Sequence, residues 1–222
     1  MVDAAGDLRE TRRMNEPIRR ARTGERREQI LDVALRLFGE RGAGSVTTRQ
    51  IAQAVGISQP SLYAHFATAD AIADELCVRA FDVLHTRFEA MAAAVTDPWD
   101  RLDALGRAYI EFGLEHPDMY RIAFMPTRQM QPPQGMTFDL ETTDPGLAAG
   151  LRAFASLRDT IATIRGGDDG EGPVIAQTIW ALVHGLTSLL ISKPYFPWAQ
   201  RERLIAEVLI MARVHLASRR IA

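Results

Sequence analysis

The chain has 222 residues, of which 47% are hydrophobic and 24% charged, and its formal net charge is -2. That much apolar surface at near-zero charge excludes a disordered protein, and the single cysteine, Cys77, excludes an intramolecular disulfide framework or a thiolate metal cage. No short apolar run of signal-peptide type accompanies the opening Asp3, Asp7 and Arg9, so the expected location is the reducing cytoplasm.

The elements read as helices throughout, because apolar residues recur every three or four positions and no β-branched alternation is bounded by turn dipeptides. An arginine-rich stretch comes first. Residues 9–27 hold Arg9, Arg12, Arg13, Arg19, Arg20, Arg22, Arg26 and Arg27 against three glutamates, a run that fits either a solvated tail or an arm facing a polyanion. Gly24 to Arg41 is the first predicted helix, with Ile30, Leu31, Ala34, Leu35 and Phe38 on one face. Thr47 and Gln50 form a capping box for a short helix from Thr48 to Ala54. Val55-Gly56-Ile57 makes a tight turn, Ser58 caps the next short helix, and Pro60 falls in its first turn, where no N–H is needed.

A long helix is predicted from Ala69 to Ala94 on the spacing of Ile72, Leu76, Ala80, Leu84, Phe88 and Met91, long enough to link two lobes. Asp97-Pro98 and Asp144-Pro145 each pair an N-cap residue with a proline preset for the first helical position. The first opens a helix to Glu115, broken at His116-Pro117 and followed by a short helix to Met125. Residues 126–144 read as a loop, a candidate lid. Leu147 to Ile164 is helical, the next helix starts at Pro173 and ends before Pro194, and no charged side chain lies between Glu171 and Lys193. Its length approaches that of a bilayer span, but Gln177, Thr178, His184, Thr187 and Ser188 interrupt it, so burial by protein on most sides is expected and no membrane contact. The last helix is predicted from about Trp198 to Ser218, with Leu204, Val208, Met211 and His215 along one stripe and Leu209 and Leu216 beside it.

Thr47 to Phe66, TTRQIAQAVGISQPSLYAHF, has helix-turn-helix spacing, with Ile51, Ala52, Val55, Ile57 and Leu62 placed to pack two short helices together. The second helix of that motif enters the major groove, leaving Gln59, Ser61, Tyr63 and His65 free to meet DNA. The Gln59 carboxamide suits adenine, and Pro60 and Ser61 suit a thymine methyl. Thr48, Tyr63 and His65 suit phosphate oxygens, and Arg49 suits a guanine edge or a phosphate.

From Gly24 to Glu75, including ERREQILDVALRLFGERGAGSVTTRQIAQAVGISQPSLYAHF, the chain resembles the N-terminal domain of the TetR (tetracycline repressor) family. The resemblance implies DNA contact by Thr48, Arg49, Ser58, Gln59, Pro60, Ser61, Tyr63 and His65. One position departs: where the family usually has a lysine at the start of the fourth helix, this chain has Ala69 followed by Asp70, which repels phosphate. An arm over residues 1–22 reaching the backbone or minor groove would compensate. Further on, EFGLEHPDMYRIAF and IWALVHGL resemble the family's C-terminal class named for a Trp-x-x-x-His-Gly run, here Trp180, His184 and Gly185. That resemblance implies a four-helix interface between the last two helices of two copies.

The expected organisation is therefore all-α: a basic arm (1–22), a helix-turn-helix domain (23–68), and a helical ligand-binding and dimerisation domain (69–222). Ten of the 16 aromatic residues fall between Trp99 and Phe196. Tyr109, Phe112, Tyr120, Phe124, Phe154, Trp180 and His184 are the candidate ligand residues for a small apolar or aromatic molecule, with Arg121 or His184 as polar anchor. The expected function is a homodimeric repressor that binds a palindromic site on double-stranded DNA and is released by that ligand. The alternatives are an activator or a helical protein-interaction adaptor. Catalysis is not expected: there is no HExxH, no GxSxG and no Gly-rich phosphate loop after a strand, and GGDDGEG (166–172) lacks calcium-loop spacing. No catalytic residue, metal ligand or cofactor is assigned.

Overall fold

The computed structural model describes residues 24–125, 144–167 and 170–219. The arm expected at 1–22, the lid expected at 126–144 apart from Asp144, and residues 168–169 of the acidic loop lie outside the described residues. The described residues form helices and no strand, and the chain divides between Ala73 and Asp74 into two compact units.

In the first unit, α1 spans residues 24–41 and is followed by a 3-10 turn at Ala43–Ser45, α2 at Thr48–Val55 and α3 at Gln59–Tyr63. The capping box forms as the sequence predicts: the Thr47 hydroxyl accepts from Gln50 N at 3.3 Å, and Gln50 Oε1 accepts from Thr47 N at 2.8 Å. Gly56 then ends α2 in the left-handed region at φ 77, a conformation that costs a residue with a Cβ about 1 kcal/mol or more. Its N–H returns to Ala52 O, and Ser58 restarts the chain by accepting from Ser61 N at 3.3 Å. Ile30, Leu31, Ala34, Phe38, Val46, Ile51, Ala52, Leu62, Phe66 and Ile72 are the buried apolar residues, while Leu35 is half-buried. Fully burying a Leu or Ile contributes about 1.5–3 kcal/mol, so this small set holds the turn between α2 and α3 in place.

The long helix α4 runs Ala69–Ala94 as predicted, its first turn capped by Thr68 Oγ1, which accepts from Ala71 N at 3.0 Å. In the second unit come α5 (Pro98–Glu115), α6 (Pro117–Phe124), α7 (Pro145–Arg165), α8 (Gly172–Ser192) and α9 (Arg201–Ser218). Asp97 accepts from Trp99 N at 2.9 Å and Asp100 N at 3.0 Å, and Asp144 accepts from Leu147 N at 2.8 Å. Both Asp-Pro pairs therefore start helices as expected. α5 is the central element, packing on α6, α7, α8 and α9. Two of its glycines allow this: a Cβ at Gly106 would lie 2.6 Å from Leu209 Cδ2, and one at Gly113 would lie 2.8 Å from Tyr120 Cδ2 and also overlap Thr187.

Two expectations about α9 are corrected. α9 begins at Arg201 rather than Trp198, because the Trp198 indole donates to Lys193 O at 2.9 Å and its ring lies 4.5 Å from that of Phe196, which holds it in the preceding turn. Its inward stripe is Ile205, Leu209, Ala212 and Leu216, not the one containing Met211, which is 54% exposed. Apolar residues occupy nearly every side of α9, so periodicity alone does not choose the face. Within the single chain, α8 is covered on one side only. It is long and apolar enough to cross a bilayer by length and composition, yet only 28% of its apolar window is buried, because α5, α7 and α9 cover one side of it.

Candidate functional site

The α2–α3 pair presents one candidate surface. Leu62 is fully buried and fixes the roll of α3, which turns Gln59, Pro60 and Tyr63 outward, with Tyr63 51% exposed. Arg49 and Ser58 are exposed as well, and Thr48, Ser61 and His65 are half-buried. The Thr48 and Tyr63 hydroxyls lie 3.3 Å apart, tying the start of α2 to the end of α3. All eight residues named from the sequence thus lie on these two helices and their flanking turns, each with some surface. Sequence reasoning missed a support beneath them: the Arg27 guanidinium lies 4.5 Å over the Phe66 ring, closing α1 onto the segment after α3.

A second candidate site is the aromatic cluster of the second unit. Tyr120 on α6 is its centre, with ring centroids 5.8 Å from Tyr109, 5.0 Å from Phe124 and 5.6 Å from His184, the last nearly parallel at 19°. Trp180 lies 6.2 Å from both Phe124 and His184, and Phe154 lies 6.0 Å from Trp180. Six of the seven sequence-named residues therefore touch in one array. The ring of Phe112 instead contacts His116 at 5.8 Å, under the Arg87 guanidinium. Arg121, the other polar anchor named from the sequence, pairs with Asp118 at 2.9 Å within α6. Phe81 is an unpredicted member, 5.1 Å edge-on to Phe124 and tight against Gly150. The available signal was its place beside Ala80 on the long helix, one position off the apolar stripe.

The cluster's polar atoms meet at His184. Its Nδ1 lies 2.7 Å from the Tyr120 hydroxyl and 3.0 Å from that of Tyr109, and the Trp180 indole N–H donates to Tyr109 O at 3.3 Å. Burial dominates the titration of all three groups. It pushes the Tyr120 phenol up to about 12 and the Tyr109 phenol higher, and it lowers His184 below its ordinary value, favouring a neutral imidazole. Among the described residues no cluster of His, Cys, Asp and Glu able to hold a metal occurs.

Comparison with known proteins gives two family matches: residues 30–76 match the model described as bacterial regulatory proteins, tetR family, and residues 102–212 match the tetracyclin repressor-like C-terminal domain. The chain is 37% identical over 91 residues to the HTH-type transcriptional repressor KstR2 of Mycobacterium tuberculosis (strain ATCC 25618 / H37Rv), covering 41% of this chain and 45% of that one. It is also 37% identical over 73 residues to the tetracycline repressor protein class D of Escherichia coli, covering 33% of this chain and 32% of that one. The chain thus spans less than half the length of these curated relatives. Among solved structures, it resembles the fatty acid degradation regulator FadR of Bacillus halodurans, with a TM-score of 0.65 and 16% identity, covering 89% of this chain and 97% of that one. It also resembles the TetR family transcriptional regulator PfmR of Thermus thermophilus, with a TM-score of 0.61 and 19% identity, covering 85% and 97%. At such identities these structures support the fold alone.

Proposed function

The chain belongs to the TetR family of transcriptional regulators, and from that premise we propose that it is a homodimeric repressor that binds an inverted-repeat operator in the cytoplasm and is released by a small, largely apolar ligand. The observation that carries the DNA-binding half is the fully buried Leu62, which turns Gln59, Pro60 and Tyr63 toward solvent. Gln59 reads adenine, Pro60 and Ser61 meet thymine methyl groups, and Thr48, Ser58, Tyr63 and His65 position the backbone, with Arg49 on guanine or phosphate. Residues 1–22 act as the arm, 23–68 as the reading domain and 69–222 as the ligand and dimer domain. The arm offsets the Asp70 carboxylate at the start of α4.

The dimer reading rests on the open faces of α8 and α9. Val174, Leu189, Ile210, Met211 and Val214 are all exposed large apolar side chains there. Gly185 has no atom within 4 Å of where its Cβ would be, which leaves room for a close helix approach. A second copy covering this surface accounts for a charge-free helix without a membrane. Gly185 follows His184 and Trp180 as in the Trp-His-Gly class, to which we assign the C-terminal domain. Ligand release follows if the aromatic cluster prefers, when occupied, a conformation with the wrong spacing between reading helices, which must match a DNA turn of about 34 Å.

Selection of fragmented genomic DNA with the purified protein, read by mobility shift against excess random DNA, tests this reading. Recovery of inverted repeats by a dimeric species is expected. A strictly monomeric protein, or the absence of any sequence-selective shift, overturns it.

A further inference from the structure

The hydrogen bonds of the aromatic cluster run in one direction. An indole nitrogen can only donate, so the Tyr109 oxygen accepts from Trp180 and the Tyr109 proton must go elsewhere. It is directed to the Tyr120 oxygen at 3.3 Å or to His184 Nδ1 at 3.0 Å. The Tyr120 proton in turn lies on the line to His184 Nδ1, and 2.7 Å is the length of a good O–H···N bond; the His184 carbonyl, at 3.3 Å, is the longer alternative. Both phenols keep their protons at neutral pH, and with the Tyr120 proton on the shorter of its two lines Nδ1 is the acceptor. A neutral imidazole accepting at Nδ1 carries its own proton on Nε2. Nε2 has no hydrogen-bond partner among the described residues. The relay Trp180→Tyr109→Tyr120→His184 therefore ends in one donor, Nε2–H, strengthened by the bonds behind it.

Around the His184 ring the neighbouring rings are flat and largely apolar. Phe124 lies 5.8 Å and Trp180 6.2 Å from the His184 ring, Phe154 stands behind Trp180, and Trp180 is 38% exposed. The side chains whose rings lie against His184, those of Tyr120, Phe124 and Trp180, carry no charge, so a charged ligand would lose water there without gaining a partner from them. We infer that the ligand is an uncharged, flat apolar molecule carrying a carbonyl oxygen, which His184 Nε2–H receives while Trp180, Phe124 and Phe154 contact its body. The inference rests on the reading of this cluster as the ligand site and narrows it to a chemical class.

The test uses the purified full chain and three probes of one shape: 2-acetylnaphthalene, 2-isopropenylnaphthalene, in which CH2 replaces the oxygen, and 2-naphthoate. Nitrogen-15 spectra of histidine-labelled protein should show the Nε2–H form of His184 before any ligand is added. Binding read from the fluorescence of Trp180, which lies 6.2 Å from His184 and is kept in the variants, should favour the ketone over the alkene by about tenfold, the cost of one lost hydrogen bond. His184→Phe should bring that ratio to about one, and His184→Gln, whose amide places an N–H near the Nε2 position, should restore part of it. An Nδ1–H tautomer, or equal binding of ketone and alkene by the unaltered protein, overturns the inference and leaves the ligand site standing. Tightest binding of the naphthoate overturns the uncharged class. If none of the three shifts the histidine signals, the ligand-site reading falls and the inference with it. The tautomer measurement needs no variant, so a poorly folding His184→Phe does not rescue the idea.

Discussion

Gly113 of α5 faces Tyr120 of α6 so closely that a single methyl group at position 113 would lie 2.8 Å from Tyr120 Cδ2. Tyr120 has no exposed surface, and neither does Thr187 on its other side, so neither can retreat. Gly113→Ala should therefore destabilise the protein by about 1–3 kcal/mol, the usual cost of overpacking a closed core, despite the better helix propensity of alanine. Gly106→Ala meets only the end of the Leu209 side chain, which has other rotamers, and should stay within about 1 kcal/mol of the parent. Thermal unfolding of the two variants ranks them; equal midpoints would show that α5 and α6 are not packed as described.

Reading and folding separate on α3. Gln59→Ala removes an exposed side chain and should leave the unfolding midpoint unchanged while weakening operator binding by about 1–3 kcal/mol and relaxing preference at one base pair. Leu62→Ala empties a fully buried site and should cost about 2–5 kcal/mol of stability, with DNA binding lost as a consequence. Paired denaturation and mobility-shift titrations distinguish the two. A Gln59→Ala protein that binds every site as tightly as the parent removes Gln59 from the reading surface.

Charge placed on the open face of α9 should separate the copies. Ile210 and Val214 are 54% and 62% exposed within the single chain, so Ile210→Glu or Val214→Glu costs the isolated fold little. A carboxylate buried unpaired between two copies costs several kcal/mol. Sedimentation should show monomers with unchanged circular dichroism and lost operator binding. Persistent dimers would move the interface elsewhere.

Acid should weaken the protein partly through His184. Burial lowers its basicity from the ordinary 6.5, so above that pH it is neutral in both folded and unfolded chains and contributes no pH dependence. Below 6.5 the unfolded chain binds a proton that the folded one resists, and stability falls as the pH drops until the folded value is reached. His184→Gln, which does not titrate, should have a shallower loss as the pH falls below 6.5. An NMR titration placing His184 at or above 6.5 contradicts the burial argument.

Local chemistry made much of this chain legible in order. Thr47 with Gln50, Ser58, and the two Asp-Pro pairs mark helix starts, because an orphan N–H at a helix end has few acceptors within reach, and Gly56 marks a turn that demands positive φ. The same locality exposed the helix-turn-helix and the residues on its outer side. The aromatic residues of the candidate ligand site were visible as a composition, but nothing in their spacing says that Trp180, Tyr109, Tyr120 and His184 share protons or that Phe112 turns away toward His116.

The sequence by itself determined where the capped helices begin and which short pair forms the helix-turn-helix, since capping and turn chemistry act over a few residues. Only the tertiary structure decided which stripe of α9 goes inside, that Phe81 joins the cluster, and which nitrogen of His184 meets the tyrosines. Those outcomes depend on side chains brought together from α4, α5, α6 and α8, and a helix apolar on nearly every side carries no local preference for the face it buries.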